Sequence, residues 1–479
     1  MNALAKTSLP RTSPESQGLS SQAVLDFLDD AARKGLELHS FMLVRNGCVI
    51  AEGWWNPYQL HLRHSLYSLS KSFTATAIGM AVEENLLNLT DRVVDFFPDK
   101  RPSSLDARWQ ALTVEHLLTM TTGHREDTLE RVLGAPDGDW IKAFFACPLE
   151  LEPGTTFVYN TPATYMLSAI LQRAAGEKLI DYLRPRLFEP LGIADPVWLE
   201  CPQGINTGGF GLSITTEDIA KFGLLFLNKG MWNGVRLISA DWINRASSKQ
   251  VSNFVADPTS DWQQGYGYQM WMCRHRAYRG DGAFGQFCVV MPEQNAVVAI
   301  TAGVPTMQPV LDCIWDNILP HFGETLPENP GLHSRLQDRL SRLSLPILPG
   351  EWNAGDAAKI DGQRYILEPN ELGLTWVEFA ADRGEIQLTL GEKGKAVTLK
   401  AGFGRYAASQ TEEEGLCQAC AAWEDESTLV VLARFVETPF SRTAVMRFIG
   451  DELTLEIKQN CSFGPAEHPP VKGRRARRD

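Results

Sequence analysis

Two apolar strand pairs that stand far apart in the chain constrain its fold more than any other feature. Phe41 to Gly53 reads as strand, turn, strand, because Asn46-Gly47 between two apolar runs supplies the left-handed backbone of a tight hairpin. Phe287–Met291 and Val297–Thr301 form a second pair around Pro292 to Asn295. Helix-spaced apolar residues precede the first pair, in 22–32 behind a Ser21 cap. Others follow the second, at Leu311, Ile314, Trp315, Ile318 and Leu319. An isolated hairpin cannot bury its apolar face, so the two pairs predict one sheet built from distant segments. The stretch between, about 68–245, reads as mostly helical and sits beside that sheet. The expected fold is α+β over residues 1–325, an antiparallel sheet flanked by helices plus a mostly helical subdomain.

Beyond this the texture changes. Residues 326–348 are rich in proline and charge and read as a linker carrying a short helix. Short alternating runs follow at regular spacing (Glu371–Ala380, Glu385–Leu390, Ser427–Val436, Glu452–Lys458), which predicts a C-terminal all-β, barrel-like domain over 349–465. Residues 466–479 read as a basic flexible tail, with five basic side chains between Lys472 and Asp479.

Charge and cysteine usage narrow the function. A net charge of −13 argues against a nucleic-acid-binding body. No apolar run approaches the ~18–20 residues of a membrane span, and MNALAKTSLPRTSPES lacks the apolar core of a secretory signal. Nine scattered cysteines fit a reducing cytosol, so a cytoplasmic protein is expected. Cys417 and Cys420 have no second pair or nearby histidine to complete a zinc site and read as strand residues; His61 and His64 lack a third ligand. No metal and no cofactor are expected. Gly280-x-Gly282-x-x-Gly285 matches a dinucleotide fingerprint in letters alone, because a strand and not a helix follows it. There is no Gly-x-Ser-x-Gly elbow.

Ser68-Leu-Ser-Lys71 opens a strong helix predicted over Leu69 to Leu87. Residues three apart on a helix share a face, so the Lys71 amine can reach the Ser68 hydroxyl. A hydroxyl becomes a good nucleophile when a neighbouring base takes its proton, and a lysine is such a base once burial lowers its pKa. Leu66, Leu69, Phe73 and Ile78 can supply that burial.

The block His64-Ser-Leu-Tyr-Ser-Leu-Ser-Lys-Ser-Phe-Thr74 resembles the nucleophile segment of the serine β-lactamase and penicillin-binding-protein superfamily. The likeness is greatest to the class C β-lactamase branch with its esterases and amidases. Leu87-Asn-Leu-Thr-Asp-Arg-Val-Val94, Thr113-Val-Glu-His-Leu-Leu-Thr-Met-Thr-Thr-Gly123 and Pro153-Gly-Thr-Thr-Phe-Val-Tyr159 fall in the family order, with Met120 where histidine is usual. The resemblance implies Ser68 as acylated nucleophile, Lys71 as general base and Tyr159 as second acid/base. Thr161 stands where many lactamases have asparagine. It resembles the Tyr-x-Ser variant of 6-aminohexanoate-dimer hydrolases and implies a hydroxyl offered to substrate. The third motif corresponds to Tyr278-Arg-Gly280-Asp281-Gly282-Ala283, with no lysine or histidine beside the glycine. Backbone amides of Ser68 and of a residue near Ala283 would form an oxyanion hole, and Arg279 either replaces the missing charge or is solvated. The segments around Tyr365–Asn370 and Ser462–Pro465 are similar to a lipocalin-like barrel, which would cover the catalytic domain, steer homo-oligomerisation or take a small apolar ligand.

These readings converge on a serine hydrolase acting through an acyl-enzyme on a small ester or amide, with neither nucleic-acid nor membrane partner. The alternatives are a β-lactamase or D-Ala-D-Ala carboxypeptidase, and a catalytically silent binding or regulatory protein that keeps the fold.

Overall fold

The computed structural model describes residues 8–476 except 105, 353 and 393. Strands β1 (Leu38–Arg45) and β2 (Cys48–Trp54) pair across the Asn46-Gly47 turn. Strands β3 (Trp271–Met272), β4 (Tyr278–Gly282), β5 (Gln286–Met291) and β6 (Ala296–Ala302) complete an antiparallel sheet of order β2-β1-β6-β5-β4-β3. The junction of early and late chain is the β1–β6 pairing, with Phe41 opposite Ile300 and Val44 opposite Val297.

Both faces of this sheet are covered, which is why β5 and β6 are apolar without alternation. Helices α1 (Ser21–Arg33), α5 (Gln308–Asn317) and α6 (Pro330–Ser341) share one core with Phe41, Leu43, Val289 and Ile300. The other face meets α4 (Thr216–Leu227) and the helical subdomain through Met42, Val44, Cys288 and Val297. The N-cap of α1 is Ser20, whose side chain accepts from the Gln22 amide; Ser21 begins the helix and is bonded instead to Glu15.

Helix α2 (Ser70–Glu83) runs through the middle of the subdomain with every residue from Ser70 to Ala81 buried, and it crosses α3 (Thr161–Ala175). A helix buried all round needs partners for its polar side chains. The Ser70 hydroxyl accepts from the Leu212 amide (3.1 Å), while Ser72 donates to the Gln269 carbonyl (2.9 Å) and Thr74 to that of Gly208 (2.8 Å). These hydroxyls tie the helix to the 208–212 stretch and to Gln269.

Strands β7 (Arg364–Leu367), β8 (Leu374–Asp382), β9 (Glu385–Glu392), β10 (Lys395–Phe403), β11 (Ala407–Thr411), β12 (Gly415–Asp425), β13 (Thr428–Phe435), β14 (Ser441–Ile449), β15 (Glu452–Gln459) and β16 (Val471–Arg475) form a second sheet. It closes into a barrel where β10 pairs parallel with β12, Ala401 to Phe403 against Ala419 to Ala421. Tyr365, Phe379, Leu388, Leu429, Met446 and Leu455 belong to its core. Cys417 and Cys420 are both buried residues of β12.

Two expectations need correction. The stretch read as a basic tail contributes β16, which pairs with β7 on one side and β15 on the other; residues 477–479 of that stretch lie outside the described residues. Within the linker, α6 buries Leu336 and Leu340 in the first domain's core beside α1. No helix among the described residues is long and apolar enough to cross a membrane.

Candidate active site

Ser68 sits half-buried in a 3₁₀ turn (Tyr67–Leu69) that feeds α2, so Lys71 falls on the same face one turn on. The Lys71 amine lies 3.1 Å from Ser68 Oγ and 3.4 Å from Thr161 Oγ1, and donates to the Gly209 carbonyl at 2.8 Å. Lys71 is 1% exposed. Burial drives its pKa down to about 7, and the carboxylates of Asp127 and Asp281 only partly oppose this.

Tyr159 lies just before α3 and Thr161 is the first residue of that helix. That segment is pinned by Asn160, whose side-chain oxygen accepts from the Thr128 amide and hydroxyl, both at 3.0 Å. The residue that replaces the usual histidine has its own partner here: Met120 Sδ accepts from the Asn160 amide at 3.4 Å. The Tyr159 ring stacks on Trp271 (centroids 5.3 Å apart), and the Lys71 amine lies 4.9 Å from the centre of its face. Burial raises the phenol's pKa well above its usual value. Asp281 adds to this, while the Ser68 side chain acts the other way.

The third wall is β4. Its backbone runs so close to the serine turn that a Cβ on Gly282 would lie 1.9 Å from the Leu66 carbonyl oxygen and 3.1 Å from the Ser68 amide nitrogen. A Cβ on Gly280 would meet Leu69 Cδ1 at 2.4 Å. Glycine at these two positions lets the strand bring the Ala283 turn beside Ser68.

Arg279 neither supplies a free cation nor reaches solvent. It is fully buried, 4.3 Å from the centre of the Trp262 ring, and paired with the buried Asp281 carboxylate at 2.7 Å. It also donates to the Asp261 carbonyl (2.8 Å) and to Cys273 Sγ (3.1 Å). Such a charge is tolerated in a dry wall because it is paired and hydrogen-bonded on several sides. The Asp281 pKa is nevertheless raised, by its desolvation.

Sequence reasoning missed Asp127 and Trp271. Asp127 accepts from the Thr161 amide (3.1 Å) and hydroxyl (2.9 Å), orienting the hydroxyl that faces Lys71. Nothing local marks it, since the contact spans 34 residues. Trp271 is the floor under Tyr159, and its place in a two-residue strand offers no periodic signal. His64, doubtful as a ligand from spacing, is buried and hydrogen-bonded to His39 at 3.0 Å.

A doubly covered antiparallel sheet thus carries the Ser68–Lys71 pair on its helical side. The Beta-lactamase family model matches residues 23–312, and the chain belongs to that family. It is similar to the 6-aminohexanoate-dimer hydrolase of Paenarthrobacter ureafaciens, with 24% identity over 56% of this chain and 72% of that protein. It is also similar to esterase EstB of Burkholderia gladioli, 30% identical over 27% of this chain and 37% of that one. In fold it resembles the octameric penicillin-binding protein homologue from Pyrococcus abyssi, at TM-score 0.50 and 17% identity, covering 95% of this chain and 99% of that one.

Proposed function

We propose that the protein is a serine hydrolase that cleaves a small ester or amide through an acyl-enzyme on Ser68. The observation that carries this reading is a buried lysine amine, its pKa drawn down to about 7, lying 3.1 Å from a half-buried serine hydroxyl. A neutral Lys71 takes the proton as Ser68 Oγ attacks the carbonyl carbon. The carbonyl oxygen, now negative, is received by the amides of Ser68 and Ala283. As the tetrahedral intermediate collapses, Tyr159 gives its proton to the leaving alcohol or amine and regains one from Lys71. Water then attacks the acyl carbon, loses its proton to the same pair, and Ser68 leaves with a proton restored.

The raised Tyr159 pKa favours this division of labour. The phenol stays protonated and serves as acid, and the lysine is the group that is free to be base. Thr161, its hydroxyl held by Asp127, offers a hydrogen-bonding partner to the substrate. Against lactamase or carboxypeptidase activity stands the β4 wall, where Arg279 is already neutralised by Asp281 and is not available to a substrate carboxylate. The nine cysteines are free, eight of them buried, which agrees with a reducing cytosol as the site of action. We take the barrel to be lipocalin-like and a cover for the hydrolase domain, a role supported by its contacts with that domain, such as Arg434 with Glu37 at 2.7 Å.

The test is direct. Wild-type protein should turn over p-nitrophenyl esters, take one fluorophosphonate label on Ser68 and lose both properties in Ser68→Ala. Intact ester turnover in Ser68→Ala refutes the reading, and fast nitrocefin hydrolysis favours the lactamase alternative.

A further inference from the structure

We propose that the C-terminal barrel is a positioning element of the active site: through Phe440 and Phe463 it holds Tyr67 and Phe284, the residues that aim the two oxyanion amides. This inference rests on the hydrolase reading for its catalytic meaning, and on geometry alone for the clamp.

Tyr67 immediately precedes Ser68, and Phe284 immediately follows Ala283. Both have left-handed backbones, φ 48° at Tyr67 and φ 69° at Phe284. Large aromatic residues occupy that region only where their surroundings over-determine it. The surroundings here come from the other domain. The Tyr67 ring stands edge-on to Phe284 (5.8 Å between centroids) and to Phe440 (6.1 Å), and lies 5.7 Å from Phe463. Phe284 in turn packs against Phe440 at 5.5 Å and Phe463 at 4.7 Å. Each barrel phenylalanine therefore touches both strained residues, and edge-to-face contacts of this kind fix ring orientation as well as distance.

The two barrel loops are themselves cross-linked. Asn460 donates to the Pro439 carbonyl (2.8 Å) and to the Gly303 carbonyl of the hydrolase domain (3.1 Å), and accepts from the Ser441 amide (2.8 Å). The Ser65 amide, three residues before the nucleophile, donates to the Glu437 carbonyl at 2.8 Å. Arg434 and Glu37 pair across the same seam at 2.7 Å. The barrel is thus bonded to the hydrolase domain around the aromatic cluster, and the cluster spans the two backbone turns whose amides must converge on one oxygen.

Phe463 is the probe of choice because it is 74% exposed, so its truncation removes little from the core. In full-length Phe463→Ala, and in Phe440→Ala, kcat for a p-nitrophenyl ester should fall about tenfold or more with KM nearly unchanged, because the amides are misplaced and not lost. Hydrogen exchange should quicken about tenfold at both 66–70 and 282–286, with the melting temperature held in Phe463→Ala. Phe463→Leu should recover part of both effects. A rise in KM at constant kcat would make the cluster a substrate pocket and overturn the proposal. So would a fall in kcat without faster exchange, or faster exchange at one segment alone. If wild-type protein neither turns over esters nor takes the fluorophosphonate label, the hydrolase reading fails while the exchange measurements still decide the clamp.

Discussion

Lys71 keeps its amine where water does not compete for it, and that sets the pH at which it can work. In the proposed mechanism the base is the free amine, which forms as pH rises through about 7. We therefore expect kcat/KM to fall tenfold per pH unit below that point and to level off above it, read from a pH–rate profile with a neutral ester. Lys71→Arg puts a permanently charged group in the same place. It should cost about a thousandfold or more in kcat and leave no acid limb. Arg279 gives the complementary case. Arg279→Met strands the Asp281 carboxylate in a dry wall and should lower unfolding free energy by about 3–5 kcal/mol in urea titration, and Arg279→Met combined with Asp281→Asn should recover most of it. Two separate blocks, one with Ser68 and Lys71 and one with Tyr159, suggested a common site only through their resemblance to one family, and the structure brings the three side chains close together. The burial of Arg279 was not legible, because the charge that cancels it stands two residues away on the same strand and looks, in letters, like a second solvated group.

At the scale of elements, the hairpins and the major helices could be read from turn chemistry and spacing, whereas the strand that lines the site could not. Five residues that include two glycines, an arginine and an aspartate carry no alternation. Their strand character comes from pairing with β5, as in Gly280 opposite Cys288. Helix α2 ends at Glu83 and not at Leu87, because Asn85 turns left-handed at φ 59° while the apolar pattern runs on through Leu86 and Leu87. The close approach at Gly282 leads to a sharp expectation. Gly282→Ala would drive a methyl group into the Leu66 carbonyl, push β4 from the serine turn and lower ester turnover about a hundredfold or more, while far-UV circular dichroism confirms a folded chain.

Across the whole molecule, the first domain extends past its sheet into the linker, since α6 packs on α1 and Leu336 is completely buried. The stretch 323–330 is exposed throughout and contains no strand and, before Pro330, no helix. Limited proteolysis should cut there first, and the nicked chain should still elute as one particle by size exclusion because α6 stays docked. A nicked chain that falls apart would show that α6 contributes little. Composition and texture announced two domains but not where one stops, because a charged amphipathic helix in a proline-rich stretch looks the same whether it is docked or free.

The order in which the barrel's strands are strung along the chain has a consequence for biosynthesis. The strand that joins β7 to β15 is β16, which follows the other nine barrel strands in the chain. Until it arrives, two neighbouring edges stand open with unmet amides and carbonyls, each able to recruit a strand from another nascent chain. Deleting residues 471–475 would leave both of those edges unpaired and turn a sealed cylinder into an adhesive sheet.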